Sequence, residues 1–303
     1  MVASTRPWPT SRSRPSPRHA HTTRFEAIGT AWEIDSDEPL SPALRADIDE
    51  RIAAFDRTWS RFRDDSLVAH IATTPGRHVF PAEAPALFDL YRRLYTATDG
   101  AVSPLVGRAL ETLGYDRDYS LRPVGSPSAV PAWDDAVAWD GEALTTLRPV
   151  GLDIGAAGKG YLVDLVSEIL TRHGVADHVV DASGDMVHAG AGSLRVALEH
   201  PRDATKAIGL VELRDQALAS SATNRRTWGD GLHHVIDVTT GLPTSGVVAT
   251  WAIAADAGLA DGLATALFFA GPELERHFAF EWVRMFTDGR VEHSARFEGE
   301  LFV

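Results

Sequence analysis

The spacing of apolar side chains along the chain predicts a series of helices. Apolar residues recur every three or four positions in these segments, which is the period of an α-helix with one buried face. Ser41 and Pro42 provide a favourable N-cap and first helical position for the first of them. The predicted helices cover residues 41–56, 83–98, 107–113, 161–173 and 256–270.

Short extended segments between these helices predict strands. The predicted strands cover residues 25–34, 150–154, 179–180, 194–198, 208–213, 235–236 and 247–253. The C-terminal residues alternate around an Asp288-Gly289 turn, as in a hairpin, and residues 120–150 predict loops and short strands. Helices mixed with apparent hairpins favour an α+β fold with mixed or antiparallel sheets over a doubly wound parallel sheet.

The N-terminal residues differ in composition from the rest of the chain. Residues 1–24 carry arginines but no acidic residue, and their prolines alternate with serine and threonine. This composition predicts a disordered tail, followed by a single folded domain at residues 25–303. The tail lacks the apolar segment of a secretory signal peptide, and no later stretch reaches the roughly 20 apolar residues of a membrane span. These features favour a cytoplasmic protein without membrane insertion.

The charge balance bears on the class of partner. The chain has 29 Lys and Arg residues against 42 Asp and Glu residues, a formal net charge of −13. Because affinity for phosphate backbones comes from clustered Lys and Arg, this balance argues against a nucleic-acid-binding protein.

The absence of cysteine limits the chemistry that the chain can perform. Disulfides, thiolate nucleophiles, Cys-ligated zinc and iron–sulfur clusters are excluded. Any metal ion would be held by oxygen or imidazole ligands, so Mg²⁺ becomes the leading candidate.

A glycine-rich turn before the predicted helix 161–173 is a candidate anion site. The segment LDIGAAGKGYLVD, residues 152–164, would aim free backbone N–H groups and the charge of Lys159 at an anion. Its spacing matches neither a phosphate-binding Walker loop nor a dinucleotide-binding glycine motif. The alternative is a tight strand-to-helix turn with a solvated lysine.

Asp261 and Thr265 are candidate ligands for a hard cation. They lie one helical turn apart on one face, so a carboxylate and a hydroxyl can bind the same ion. The alternative is a polar stripe in which Thr265 bonds back to its own helix.

Two further segments contain candidate polar groups. In HHVIDVTTG, His234 lies beside a short predicted strand and is suited to acid–base chemistry near neutral pH, although most histidines are structural or exposed. In DASGDM, a small-residue turn displays Asp185, which alone is weak evidence of a site.

Taken together and in order, these segments resemble the FAD:protein FMN transferase family, the ApbE-type flavin transferases. The resemblance covers most of the chain after the tail. The matching segments are EAIGTAWEI, TWSRFRDDS, TDGAVSPLVGRALETLGYD, LDIGAAGKGYLVD, VDASGDMVHAG, LASSATNRR, HHVIDVTTGLPT and LADGLATALFFAG.

The resemblance implies an α+β fold sometimes likened to the tunnelling fold, and a Mg²⁺-dependent transfer of FMN from FAD to a Ser or Thr hydroxyl of a target flavoprotein, with release of AMP. It implies that the carbonyl of Ala156 and the side chains of Asp261 and Thr265 bind the metal, and His234 matches the family's proposed catalytic histidine. The implied FAD contacts are Ile28, Phe62, Ala101, Val102, Ser103, Asp153 and Lys159.

Several positions depart from the family pattern. Ser103 stands where many members have Asp, Val238 and Thr239 interrupt the usual DP-R-TG motif, and Asn224 replaces a common aromatic residue. Two other functions remain open on the same residues. With water as the nucleophile, the site would be an FAD pyrophosphatase that yields FMN and AMP; without turnover, the chain would be a non-catalytic FAD-binding protein.

Overall fold

A computed structural model describes residues 19–127 and 129–302 of the chain. The helices are α1 (Pro42–Trp59), α2 (Leu67–Ile71), α3 (Ala84–Ala97), α4 (Gly107–Thr112), α5 (Trp133–Ala136), α6 (Gly158–Arg172) and α7 (Ala257–Ala266). The strands are β1 (His21–Ala27), β2 (Thr30–Ser36), β3 (Gly76–Val79), β4 (Val137–Trp139), β5 (Ala143–Thr146), β6 (His178–Asp181), β7 (Asp185–Ala189), β8 (Leu194–His200), β9 (Asp203–Leu213), β10 (Gln216–Ala222), β11 (Thr227–Trp228), β12 (Leu232–His233), β13 (Val247–Ala254), β14 (Glu281–Phe286), β15 (Val291–His293) and β16 (Glu300–Leu301).

The largest sheet has the strand order β1-β2-β6-β7-β10-β13-β14-β15, and each adjacent pair is antiparallel. Two small sheets have the orders β16-β9-β8 and β3-β5-β4, and β11 pairs with β12. The prediction of an α+β fold with antiparallel sheets and packed helices is therefore confirmed.

Alternating side chains of the large sheet enter two hydrophobic cores. On β13, Ala252 and Ala254 belong to the core shared with α1, α3, α6 and α7. Trp251 and Ile253 belong to the core shared with β8 and β9. Because successive side chains of a strand point to opposite faces, the sheet separates a helical layer from a smaller sheet. The helical layer carries the candidate site.

The predicted helices are all present, with shifted ends. As predicted, Ser41 caps α1, since its Oγ accepts a hydrogen bond from the N–H of Leu44 at 3.2 Å. Helix α7 ends at Ala266 instead of residue 270. The next N–H groups of Phe268 and Phe269 bond three residues back, so the helix tightens into turns.

Three predicted strands are wrong in part or whole. Residues 150–154 form no strand. The N–H of Asp153 donates to the carbonyl oxygen of Pro104, and the carbonyl oxygen of Gly151 accepts the N–H of Gly107. Neither hydrogen bond belongs to a β-sheet. Residues 235–236 form a tight loop in which Ile236 makes only an isolated bridge to Pro243.

The segment predicted as one strand at residues 25–34 is a hairpin. Ile28 and Gly29 turn the chain between β1 and β2 with φ values of 45° and 77°. A residue with a β-branched side chain, such as Ile28, rarely adopts a positive φ. The sequence therefore does not predict a turn at this position. Strand β1 begins at His21, so residues 21–24 belong to the fold and not to the predicted tail. Residues 1–18 lie outside the described residues.

None of the helices in the described residues is long and apolar enough to cross a membrane.

Candidate active site

Helices α6 and α7 meet at a close backbone contact through Gly160. A Cβ atom at Gly160 would lie 2.1 Å from the carbonyl oxygen of Ala257 and 2.7 Å from Cβ of Asp261, far inside normal contact distances. The N–H of Gly160 donates to Oδ2 of Asp261 at 3.0 Å. Only glycine allows this approach, which carries the Asp261 carboxylate to the N-terminal turn of α6.

Thr265, one turn after Asp261, faces the same glycine-rich turn. Its Oγ1 donates to the carbonyl oxygen of Ala156 at 3.2 Å, and no bond from this hydroxyl to its own helix is found among the described contacts. Two of the predicted metal ligands, Thr265 and Ala156, therefore touch each other. The third, Asp261, is 4% exposed and lies on the same helix.

The ammonium of Lys159 has two partners within the protein, which argues against the predicted alternative of a solvated lysine. Its Nζ lies 2.6 Å from Oδ2 of Asp185 and donates to the carbonyl oxygen of Ala182 at 2.8 Å. The β6–β7 turn, with positive φ at Ser183 and Gly184, places Asp185 at the first position of β7. Asp185 was absent from the predicted site, and only its place after a small-residue turn indicated it in the sequence.

The two carboxylates of this cluster are buried and interact. Burial and the neighbouring Asp185 raise the pKa of Asp261 well above the usual value, while Lys159 acts in the opposite direction. Tyr91 of α3 is 1% exposed and lies near Asp261 and Asp153. Burial, with these carboxylates, raises the pKa of its hydroxyl, which has no hydrogen-bond partner in the described part of the chain.

These donors suit a hard divalent cation. Two carboxylates, a threonine hydroxyl and a backbone carbonyl are oxygen ligands of the kind that Mg²⁺ binds. Within residues 19–127 and 129–302, no group of three or more His, Asp or Glu side chains is arranged to hold a metal. A cation here would therefore depend on uncharged oxygens beside the carboxylates, and on ligands from a substrate.

A second polar group lies at Asp153. Its Oδ2 pairs with Nε of Arg61 at 2.5 Å, and its Oδ1 accepts the N–H of Gly155 at 2.7 Å. Burial acts to raise the pKa of Asp153, but Arg61 outweighs burial and holds this pKa below its usual value. Arg61 also lies over the rings of Phe62 and Tyr115, at 4.2 and 4.9 Å from their centroids. Nη1 and Nη2 of Arg61 are buried without hydrogen-bond partners among the described residues.

His234 lies close enough to Asp153 to interact with its charge. Burial first, and then the positive charge of Arg226, lower the pKa of His234 to about 3. Its Nδ1 is buried and has no hydrogen-bond partner in the described ranges. The ring is therefore neutral at pH 7 and can accept a proton. The sequence predicted a histidine that titrates near neutral pH, and His234 does not.

The sequence model of the ApbE family matches residues 28–284, most of the chain. The chain belongs to the ApbE family. An FAD:protein FMN transferase of Klebsiella pneumoniae (strain 342) is 28% identical over 276 residues, covering 82% of this chain and 78% of the relative. One of Treponema pallidum (strain Nichols) is 29% identical over 268 residues, covering 77% of this chain and 74% of the relative.

Solved structures share the fold of this ApbE-family chain. The ApbE protein of Thermotoga maritima superposes with a TM-score of 0.79 at 25% identity, covering 91% of this chain and 97% of that one. The flavin transferase ApbE of Vibrio cholerae superposes with a TM-score of 0.73 at 21% identity, covering 92% and 98%.

The remaining predicted FAD contacts of this ApbE-family chain lie in different surroundings. Val102 and Ser103 are buried, Ala101 is half-buried, and Oγ of Ser103 accepts the N–H of Leu105, which caps a short 3-10 helix. This segment reaches Asp153, whose N–H donates to Pro104 at 2.8 Å.

Phe62 and Ile28 differ in what surrounds them. Phe62 belongs to an aromatic cluster and stacks on Tyr119 with ring centroids 4.9 Å apart. Ile28 lies at the β1–β2 turn of the ApbE-family fold and lines a surface groove with Phe25 and Arg57.

Proposed function

We propose that this chain transfers FMN from FAD to a Ser or Thr hydroxyl of a target flavoprotein in a Mg²⁺-dependent reaction that releases AMP. The observation that carries the proposal is the convergence of Asp261, Thr265 and the Ala156 carbonyl on the α6 turn that holds Lys159. Membership of the ApbE family and its flavin-transferase relatives support the same activity.

Asp261, Thr265 and the carbonyl of Ala156 would hold the metal ion. When bound, Mg²⁺ would neutralise part of the negative charge on the FAD diphosphate. Lys159 lies in the first turn of α6, where its ammonium and the helix N-terminus favour an anion. These groups bind the diphosphate and stabilise the charge that develops on the departing AMP.

The transfer forms one bond and breaks one. The acceptor hydroxyl oxygen attacks the FMN-side phosphorus, the bond from that phosphorus to the oxygen bridging to AMP breaks, and AMP leaves with that oxygen. The hydroxyl proton passes to His234. Because burial keeps His234 uncharged at neutral pH, its ring has a lone pair for this proton.

Recognition of FAD would involve the other predicted residues. Asp153, fixed by Arg61, presents a charged acceptor beside the aromatic cluster of Phe62 and Tyr115. Ile28 and the Ala101, Val102 and Ser103 segment complete the proposed binding surface.

The test is incubation of the protein with FAD, Mg²⁺ and a candidate acceptor flavoprotein. Flavin fluorescence that stays with the acceptor on a denaturing gel, with equimolar AMP in solution, supports transfer. Free FMN with AMP would instead identify an FAD pyrophosphatase, and FAD binding without AMP a non-catalytic FAD-binding protein.

Variants of α7 connect this test to the metal. We expect Asp261→Asn to lower AMP release at least about a hundredfold, the scale of losing one charge-stabilising group. Asp256→Asn is the matched control, because Asp256 caps the same helix from an exposed position and asparagine also caps helices. Equal AMP release by wild type and Asp261→Asn would refute the metal assignment.

A further inference from the structure

Asp185 is a buried carboxylate that the proposed mechanism leaves without a role. It is 1% exposed, and apart from the Lys159 ammonium, 2.6 Å from Oδ2, its oxygens have no hydrogen-bond partner among the described residues. Its charge partner is Lys159, which directs its hydrogen bond at the carbonyl of Ala182. A buried carboxylate oxygen without a partner is unfavourable, and Oδ1 of Asp185 is such an oxygen among the described residues, so it can take a further positive partner.

The fold aims Asp185 at the metal ligands. On β7, Val187 belongs to the core on the helical side of the sheet, and Met186 to the opposite core. Asp185 is two residues from Val187, so it projects to the helical side, where α6 and α7 pack. The carboxylates of Asp185 and Asp261 lie close enough to interact.

Two buried carboxylates lie around one ammonium group in this cluster. Asp185 and Asp261 are 1% and 4% exposed, and the ammonium of Lys159 lies against Asp185. Carboxylate oxygens that converge in a buried site are ligands that a hard divalent cation binds.

Tyr91 is an independent indication of a ligand at this place. Its hydroxyl is buried near Asp261 and the backbone of Ala156, and it has no hydrogen-bond partner among the residues described. Buried hydroxyl groups are normally hydrogen-bonded. A hydrated cation beside Asp261 provides a water molecule for this bond.

We propose that Asp185 is a further ligand of the divalent cation held by Asp261, Thr265 and the Ala156 carbonyl. This inference rests on the metal assignment of the proposed function. Lys159 and the cation compete for Asp185, so arrival of the cation frees the Lys159 ammonium for the substrate phosphates.

The test is binding of Mn²⁺, a Mg²⁺ substitute, to the full-length protein without FAD. The amplitude of the six-line EPR spectrum of free Mn²⁺ gives the dissociation constant. We expect Asp185→Asn to weaken Mn²⁺ binding at least about tenfold, as losses around metal sites do. Asp181→Asn is the matched control: Asp181 lies at the other end of the same turn and accepts the N–H of Gly184, so its dissociation constant should stay that of wild type.

A second variant tests the proposal even if Asp185→Asn does not fold. Lys159→Met removes the competing charge, so we expect it to tighten Mn²⁺ binding. Unchanged binding in Asp185→Asn, equal weakening in Asp181→Asn, or weaker binding in Lys159→Met would each overturn the role of Asp185. If Asp261→Asn also binds Mn²⁺ like wild type, the metal assignment of the proposed function fails; if only Asp261→Asn weakens binding, that assignment stands without Asp185.

Discussion

Asp164 and Asp261 cap each other's helices. Asp164 of α6 accepts the N–H groups of Ala257 and Gly258 at the start of α7, at 2.8 and 2.7 Å. Asp261 of α7 accepts the N–H of Gly160 in the first turn of α6 at 3.0 Å. Because each helix start depends on a carboxylate of the other helix, the relative position of α6 and α7 is fixed where the proposed metal ligands meet.

The pH dependence of stability follows from Asp164. Burial raises the pKa of Asp164 to about 7, although its two backbone hydrogen bonds act to lower it. A carboxyl whose pKa is higher in the folded than in the unfolded state stabilises the fold at low pH, and this contribution is lost as pH rises through about 7. Between pH 4 and pH 8, we expect the free energy of unfolding of wild type to fall by about 4 kcal/mol relative to that of Asp164→Asn. Urea unfolding at several pH values measures this difference, and parallel curves would contradict it.

Gly160→Ala tests the close contact of the two helices. The added Cβ meets the backbone of Ala257, so α7 has to move. We expect the free energy of unfolding to fall by about 1–3 kcal/mol, as in overpacked cores, and AMP release to fall with it because Asp261 moves too. Gly125→Ala is the control, since its nearest neighbour would be Thr112 at 3.9 Å. A fully active and stable Gly160→Ala would refute the contact.

His234→Gln separates chemistry from binding. We expect AMP release from bound FAD in a single turnover to slow about 10²-fold, the lower end of the contribution of a positioned general base, because a histidine with a pKa of about 3 is a weak base at neutral pH. The dissociation constant for FAD, followed by flavin fluorescence, should change little. Parallel losses of rate and affinity would instead indicate a structural histidine.

The pH profile of the same step reports the state of His234. Burial lowers the pKa of His234 to about 3, so its proton-accepting form persists at all pH values well above 3. We therefore expect no loss of rate with a midpoint near 6.5, the usual histidine value. A loss with that midpoint in wild type that is absent from His234→Gln would show that His234 is solvated and titrates normally.

Arg61→Met tests the buried ion pair with Asp153. Removing the guanidinium leaves the Asp153 carboxylate without its charge partner, a change that costs about 3–5 kcal/mol at buried pairs. Arg63→Met is the control, because Arg63 pairs with Asp56 and Asp65 at the exposed surface and its loss should cost far less. We expect the double variant Arg61→Met/Asp153→Asn to recover part of the stability in urea unfolding. No recovery would mean that Arg61 stabilises the fold through its ring contacts instead.

Local features of the fold were predictable from the sequence. Helix α1 and its Ser41 cap depend on neighbouring residues, and the helical period alone puts Asp261 and Thr265 on one face. The order of the motifs indicated the family. The β1–β2 turn was missed because Ile28 is an unusual residue for positive φ. The strand predicted at residues 150–154 was wrong because these residues have no strand partner.

The composition of the site was decided by the tertiary structure. Asp185 meets Lys159 and Asp261 only because the β6–β7 turn projects toward the α6–α7 contact, and Arg61 reaches Asp153 across 92 residues of sequence. The lowered pKa of His234 comes from burial, which no local pattern specifies. Sequence spacing determines which side chains share a helix face or a turn, because that geometry repeats over a few residues. Which charges meet, and how far they are removed from water, depends on the packing of distant segments.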